Sequence, residues 1–120
     1  MGKRNGTLSS AMERIREDSL DSVILVEGKR DREALERAGI PSYGILQVSH
    51  KTPNEIYSDV MLYNRKKIIP LYDNDRTGES KLQKLGAFFS GMGMNMLDYR
   101  TVLRKRGITY IEEIDNRMGL

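Results

Sequence analysis

A chain of 120 residues with a net charge of +3, 31% charged residues and no cysteine has room for one domain around a single core and excludes a disulfide scaffold. No apolar run approaches the roughly 20 residues a membrane helix needs, and the polar start Met1-Gly2-Lys3-Arg4-Asn5-Gly6 lacks the apolar stretch of a signal peptide. The expectation is a cytoplasmic protein with no membrane partner, whose modest positive charge permits a polyanionic partner without demanding one.

Leu8, Ala11, Met12 and Ile15 recur at helical spacing, which predicts a short amphipathic helix in an N-terminal extension (1–19) packed on a domain running 20–120. Val23-Ile24-Leu25-Val26 is unbroken aliphatic, the pattern of a central parallel strand buried on both faces, and it ends abruptly on Glu27-Gly28. A helix over about 30–38 stops at Gly39 and Pro41, and a second strand covers roughly 44–48. Thr52-Pro53-Asn54-Glu55 reads as a capping box with proline at the first helical position. It opens a helix with Ile56, Val60 and Tyr63 inward that ends near Asn64. A third strand, about 67–72, delivers Asp73-Asn74-Asp75-Arg76-Thr77-Gly78. Pro70 sits awkwardly in it, and calls for a bulge or a neighbour that has already ended.

A longer helix follows with Leu82, Leu85 and Phe89 inward, broken by Gly91-Met92-Gly93. Met94-Asn95-Met96 fits a short fourth strand, Asp98 caps a helix bearing Val102 and Leu103, and Ile111, Ile114 and Met118 mark a last helical turn. Strands alternating with helices at this spacing predict a three-layer, Rossmann-like α/β domain. It has a small parallel sheet of about four strands, right-handed crossovers and helices on both faces.

Parallel strands deliver their following loops to one edge, so Glu27, Asp73 and Asp75 are expected to share a crevice there. Three carboxylates at close range raise one another's pKa unless a cation neutralises them. Magnesium, with manganese as the alternate, suits an all-oxygen donor set completed by substrate phosphates. A single histidine and no cysteine leave zinc and copper poorly supported.

Val26-Glu27-Gly28-Lys29-Arg30-Asp31, followed after one strand and helix by Asp73-Asn74-Asp75-Arg76-Thr77-Gly78, resembles the two signature motifs of the Toprim domain. That domain is shared by topoisomerases, bacterial primases, OLD-type nucleases, recombination proteins and the ribonuclease that matures 5S ribosomal RNA. The resemblance spans roughly positions 20 to 115 and describes a stand-alone small Toprim protein. It implies that Glu27 is a general acid or base and a metal ligand, that Asp73 and Asp75 are the magnesium-binding pair, and that Gly28 and Gly78 are the motif glycines. The Glu-Gly-Lys wording is closer to the ribosomal-RNA maturases than to the topoisomerases. Thr77 stands where the topoisomerase pattern has a third aspartate, which departs from a two-metal site of that kind.

Competing readings of the same residues differ in what else they require. A calcium loop of EF-hand type needs an acid at its twelfth position, which here is Lys84. Asp73-Asn74-Asp75-Arg76-Thr77 also matches the opening of a haloacid-dehalogenase-type phosphotransferase, in which Asp73 is a covalent nucleophile; that family needs a lysine and further acids on later strands. A phosphate loop fails because Arg30 replaces the hydroxyl residue after Gly28-Lys29. Lys29 is either a phosphate contact or a solvated lysine. Asp31 is either a helix-start acid or a neighbour of the metal site. Arg65-Lys66-Lys67 and Arg104-Lys105-Arg106, with Arg14 and Arg16, are either solvated helix ends or a nucleic-acid path. His50, alone in a loop, is expected to be neither ligand nor base.

The expected function is magnesium-dependent chemistry on nucleic-acid phosphodiesters, RNA or DNA, with cleavage favoured over synthesis because no template-binding module accompanies the motifs. The alternative class is a non-catalytic, metal-binding adaptor that recognises nucleic acid or docks on a larger RNA- or DNA-processing assembly.

Overall fold

The computed structural model describes residues 6–120, so most of the Met1–Gly6 start lies outside the described residues. In chain order the elements are α1 (Leu8–Asp18), β1 (Ser22–Val26), α2 (Lys29–Arg37), β2 (Ile45–Gln47), α3 (Pro53–Met61), β3 (Lys67–Pro70), α4 (Arg76–Gly91), β4 (Asn95–Met96), α5 (Arg100–Arg104) and α6 (Ile114–Arg117). Four parallel strands form one sheet in the order β2-β1-β3-β4.

The pleat sorts the aliphatic strands into two cores. Ile24, Val26, Ile69 and Leu71 pack on one face with Ala11, Met12 and Ile15 of α1, Leu35 of α2, Leu103 of α5 and Ile114 of α6. Val23, Leu25, Ile68 and Tyr72 pack on the other with Ile56 and Val60 of α3 and Leu85 and Phe89 of α4. Every side chain of β1 from Val23 to Val26 is fully buried, as a doubly covered parallel strand requires. Truncating one of them to alanine removes roughly 2–5 kcal/mol, transfer and cavity terms together.

Local signals set the element ends. Thr52 Oγ1 accepts from the Glu55 amide at 3.2 Å and Glu55 Oε1 accepts from the Thr52 amide at 3.1 Å, completing the capping box. Helix α3 stops at Met61, earlier than the expected Asn64, because the chain turns over Leu62–Asn64 and Asn64 takes a φ of 54°. Asp98 accepts from the amide and hydroxyl of Thr101, so it secures the start of α5 from two residues before it.

Pro70 is accommodated because its neighbour has ended. The Leu71 amide donates to Leu25 of β1 at 2.8 Å, so the preceding nitrogen faces β4, whose last bond is from the Leu97 amide to Ile68 O at 3.0 Å. No amide is needed at position 70.

Helix α2 leads from β1 outward to β2, whereas α4 leads from β3 outward to β4, and the two helices cover opposite faces. The chain therefore diverges between the adjacent strands β1 and β3. In parallel α/β sheets, ligands bind beyond the carboxyl ends of the strands at such a switch point.

Candidate functional site

Glu27 follows β1 and Asp73 follows β3, so both acids emerge at the switch point. The Asp73 amide donates to Glu27 Oε1 at 3.2 Å, joining the two loops directly. Glu27 Oε2 lies 2.8 Å from Lys81 Nζ on α4. Asp73 Oδ1 accepts from the Ile111 amide at 2.9 Å, and Asp75 Oδ1 caps α4 by accepting from the Gly78 amide at 2.7 Å.

Asp31 enters the same acidic group from the first turn of α2, where its Oδ2 accepts from the Gly28 amide at 3.1 Å. Burial first, then the nearby charge of Asp73, pushes its carboxyl up to about 6 against the lowering pull of that amide, with Glu27 and Glu112 adding to the rise. Asp73 is likewise held above the ordinary carboxylate range by burial, with the charges of Glu27, Asp75 and Glu112 added, while the Ile111 amide pulls it down. Lys81 is shifted upward, chiefly by its hydrogen bond to Glu27 and then by the charges of the acids. The electrostatics are those of a crowded carboxylate group partly offset by one ammonium.

Three devices hold the Asp73 loop. Gly78 admits the loop by its lack of a side chain: a Cβ there falls 2.0 Å from the Asp73 carbonyl oxygen. Arg100, buried at the start of α5, donates to the carbonyls of Tyr72 and Asp73 at 3.2 and 2.9 Å and to Glu79 at 2.8 Å. Asn74 donates its side-chain amide to Arg100 O and Ile108 O, and its backbone amide to Thr109 O, tying the loop to the segment before Ile111.

Of the residues singled out in the sequence, Glu27, Asp31 and Asp73 come together, and Asp75 lies at the same edge as a helix cap. Gly28 precedes α2 in extended conformation, and Lys29 at its first position is exposed. Among the described residues, no three or more Asp, Glu or His side chains are gathered into a ready metal-holding group. The donor chemistry nonetheless suits a hard cation, since Asp73 and Asp75 each use Oδ1 in a hydrogen bond, and among the described residues Oδ2 makes none.

Of the basic runs, Arg65, Lys67 and Arg106 make contacts elsewhere, whereas the charge of Arg104 reaches Glu79 in the first turn of α4. Arg65 precedes β3, at the opposite end of the strand from Asp73, and donates to the carbonyls of Ser19 and Ser22 at 3.2 and 2.7 Å. Lys67 pairs with Asp21, and Arg106 reaches Thr7 O and Val102 O. Lys81, Arg100, Asn74 and Glu112 were not legible as site residues: an exposed helical lysine looks solvated, Asn74 stands inside the acidic motif but its partners Arg100 and Ile108 are distant in sequence, and Arg100 and Glu112 act on a loop far from them.

No family model matches the chain. A UPF0292 protein of Methanocaldococcus jannaschii is 36% identical over 72 residues, 59% of this chain, and the match spans 55% of that relative's length. A solved protein from Aquifex aeolicus overlays with a TM-score of 0.80 at 32% identity, covering 89% of this chain and 97% of that one. The zinc-binding and RNA polymerase domains of the Aquifex aeolicus primase overlay at a TM-score of 0.47 and 21% identity, over 91% of this chain and 27% of that one, a likeness too low to carry an argument. No helix among the described residues is long and apolar enough to cross a membrane.

Proposed function

This chain belongs to the same family as the solved Aquifex aeolicus protein, and we propose that it is a Toprim-type protein acting on nucleic-acid phosphodiesters with magnesium, or alternatively manganese. The observation that carries the reading is the meeting of Glu27 from β1 with Asp73 from β3, amide to carboxylate, at the one edge where the sheet's connections diverge. The raised pKa of Asp31 and of Asp73, due first to burial and then to the neighbouring acids, supports it, because a cation relieves buried carboxylates that repel one another.

Glu27, Asp73 and Asp75 would hold the metal, which when bound supplies charge stabilisation at a phosphate oxygen and a more acidic water. The chain's own residues do the rest. Glu27 Oε1 is oriented by the Asp73 amide, so Oε2 is the atom that takes or returns a proton once Lys81 yields it. Arg100 and Gly78 keep the Asp73 carbonyl, and with it the carboxylate, at a fixed place beyond β3.

The test is cleavage of labelled RNA and DNA with and without magnesium by the wild type and Glu27→Gln. Metal-dependent turnover lost in the variant is expected; equal activity in both removes Glu27 from the mechanism.

A non-catalytic adaptor for nucleic acid or a larger processing assembly is favoured by a different observation, the pairing of Lys81 with Glu27. Silence on every substrate combined with salt-sensitive nucleic-acid binding selects that reading.

A further inference from the structure

Beside Glu27, the loop 49–53 and the face of α4 enclose a cleft of about 150 Å³. Its apolar floor is made by Val48, Ile56, Tyr72 and Leu85, all buried. Its rim carries His50, Lys51, Lys81 and Lys84. Three of these are lysines: Lys51 pairs with Asp59 and Lys81 with Glu27, which leaves Lys84 as the rim cation without an ion pair among the described residues.

The rim is held in place. His50 takes a φ of 64°, the Lys51 amide donates to Val48 O at 3.1 Å, and the Lys51 ammonium pairs with Asp59 of α3. Lys84 is exposed and has no ion pair among the described residues, so its charge is available to a ligand.

Size and chemistry identify the occupant. A cleft of about 150 Å³ with an apolar floor has room for one aromatic ring, since an enclosed cavity of that volume holds benzene. A flat ring on an apolar floor, with a phosphate reached by lysines at the mouth, is the shape of a nucleotide. Glu27 also lines the cleft and pairs with Lys81 of its rim, so a phosphodiester attached to a ring seated here lies near the carboxylate proposed to move the proton.

We propose that this cleft is a subsite for one single-ring nucleobase of the substrate, with Lys84 and His50 contacting the adjoining phosphate. The inference rests on the nucleic-acid reading above and deepens it: a pyrimidine is accepted next to the bond acted on, and the two-ring purine is disfavoured.

The experiment is a titration of the full chain by amide NMR, in the presence of EDTA, with uridine 5′-monophosphate, adenosine 5′-monophosphate and ribose 5-phosphate. Uridine monophosphate is expected to bind at least fivefold more tightly than the other two, with shifts centred on the amides of Ser49, His50, Lys51 and Leu85. Lys84→Glu, an exposed substitution, is expected to weaken it about tenfold while leaving the remaining spectrum in place. Val48→Phe, which fills the floor, is expected to abolish it.

Equal binding of ribose 5-phosphate overturns the ring site, and equal binding of adenosine monophosphate overturns its size selectivity. An unchanged affinity in Lys84→Glu overturns the phosphate contact. Because no metal and no turnover enter the titration, binding without magnesium-dependent cleavage leaves the subsite and removes the activity. Cleavage with no base preference does the reverse.

Discussion

Lys81 Nζ lies 2.8 Å from Glu27 Oε2, so the first turns of α4 supply an ammonium to the acid that ends β1. The contact gives the carboxylate group a counter-charge of its own, one that a divalent cation has to displace. Lys81→Met is therefore expected to tighten magnesium or manganese binding severalfold, measured by calorimetry. Because the lysine side chain is 53% exposed, its loss is expected to cost less than about 1 kcal/mol of stability. Weaker metal binding in the variant is the result that contradicts this role.

Burial, with the neighbouring acids added to it, also sets a pH dependence. Asp31 is raised from 3.8 to about 6, so between those values the folded chain binds more protons than the unfolded one. The stabilising contribution is complete below about 3.8 and is lost as pH rises through about 6. Asp31→Asn keeps an oxygen for the Gly28 amide and discards the charge. It is expected to raise the melting temperature at pH 8 by several degrees, a gain on the order of 2 kcal/mol. The gain should shrink towards zero below pH 4, in thermal melts without divalent metal. A gain of the same size at every pH removes the charge explanation.

The strands and the acidic edge were legible because their causes are local and periodic. Aliphatic runs at β1 and β3 announce buried parallel strands, and strand polarity alone brings Glu27 and Asp73 to one edge. The Thr52 capping box and the Gly39 stop are short-range signals of the same kind. What was not legible depends on distant partners. Arg65 sits in a basic run that reads as a solvated helix end or a nucleic-acid path, yet its guanidinium is committed to the carbonyls of Ser19 and Ser22. Asp75 reads first as a metal ligand, and its further use, Oδ1 capping α4, is found in the structure. Nothing local to Arg100 indicates the carbonyls it serves, because Tyr72 and Asp73 meet it only after β4 has turned the chain back.

That double use of Asp75 allows the metal reading to be separated from folding. Asp75→Asn retains an oxygen for the Gly78 amide, so α4 keeps its cap, while the charge offered to a cation disappears. The variant is expected to melt within about 2 °C of the wild type in EDTA. Magnesium at a hundred times its dissociation constant should stabilise the wild type by about 2.7 kcal/mol, and the variant much less. Equal stabilisation of both chains by magnesium takes Asp75 out of the metal site.

Arg100 is the residue on which the geometry of the Asp73 loop most depends. Its guanidinium spans two backbone carbonyls and Glu79, and it draws the Glu79 carboxyl below its ordinary range by hydrogen bond and charge. Arg100→Met leaves the Tyr72 and Asp73 carbonyls without that donor in a buried place, at a cost of roughly 2–4 kcal/mol in urea unfolding. Arg100→Lys restores the charge but not the planar fork that reaches several acceptors at once, so it is expected to recover less than half of the loss. Metal affinity should fall in both variants even where they remain fully folded, because the Asp73 carboxylate moves with its carbonyl. A lysine variant that recovers both stability and metal affinity shows that charge alone, and not the fork, positions the loop.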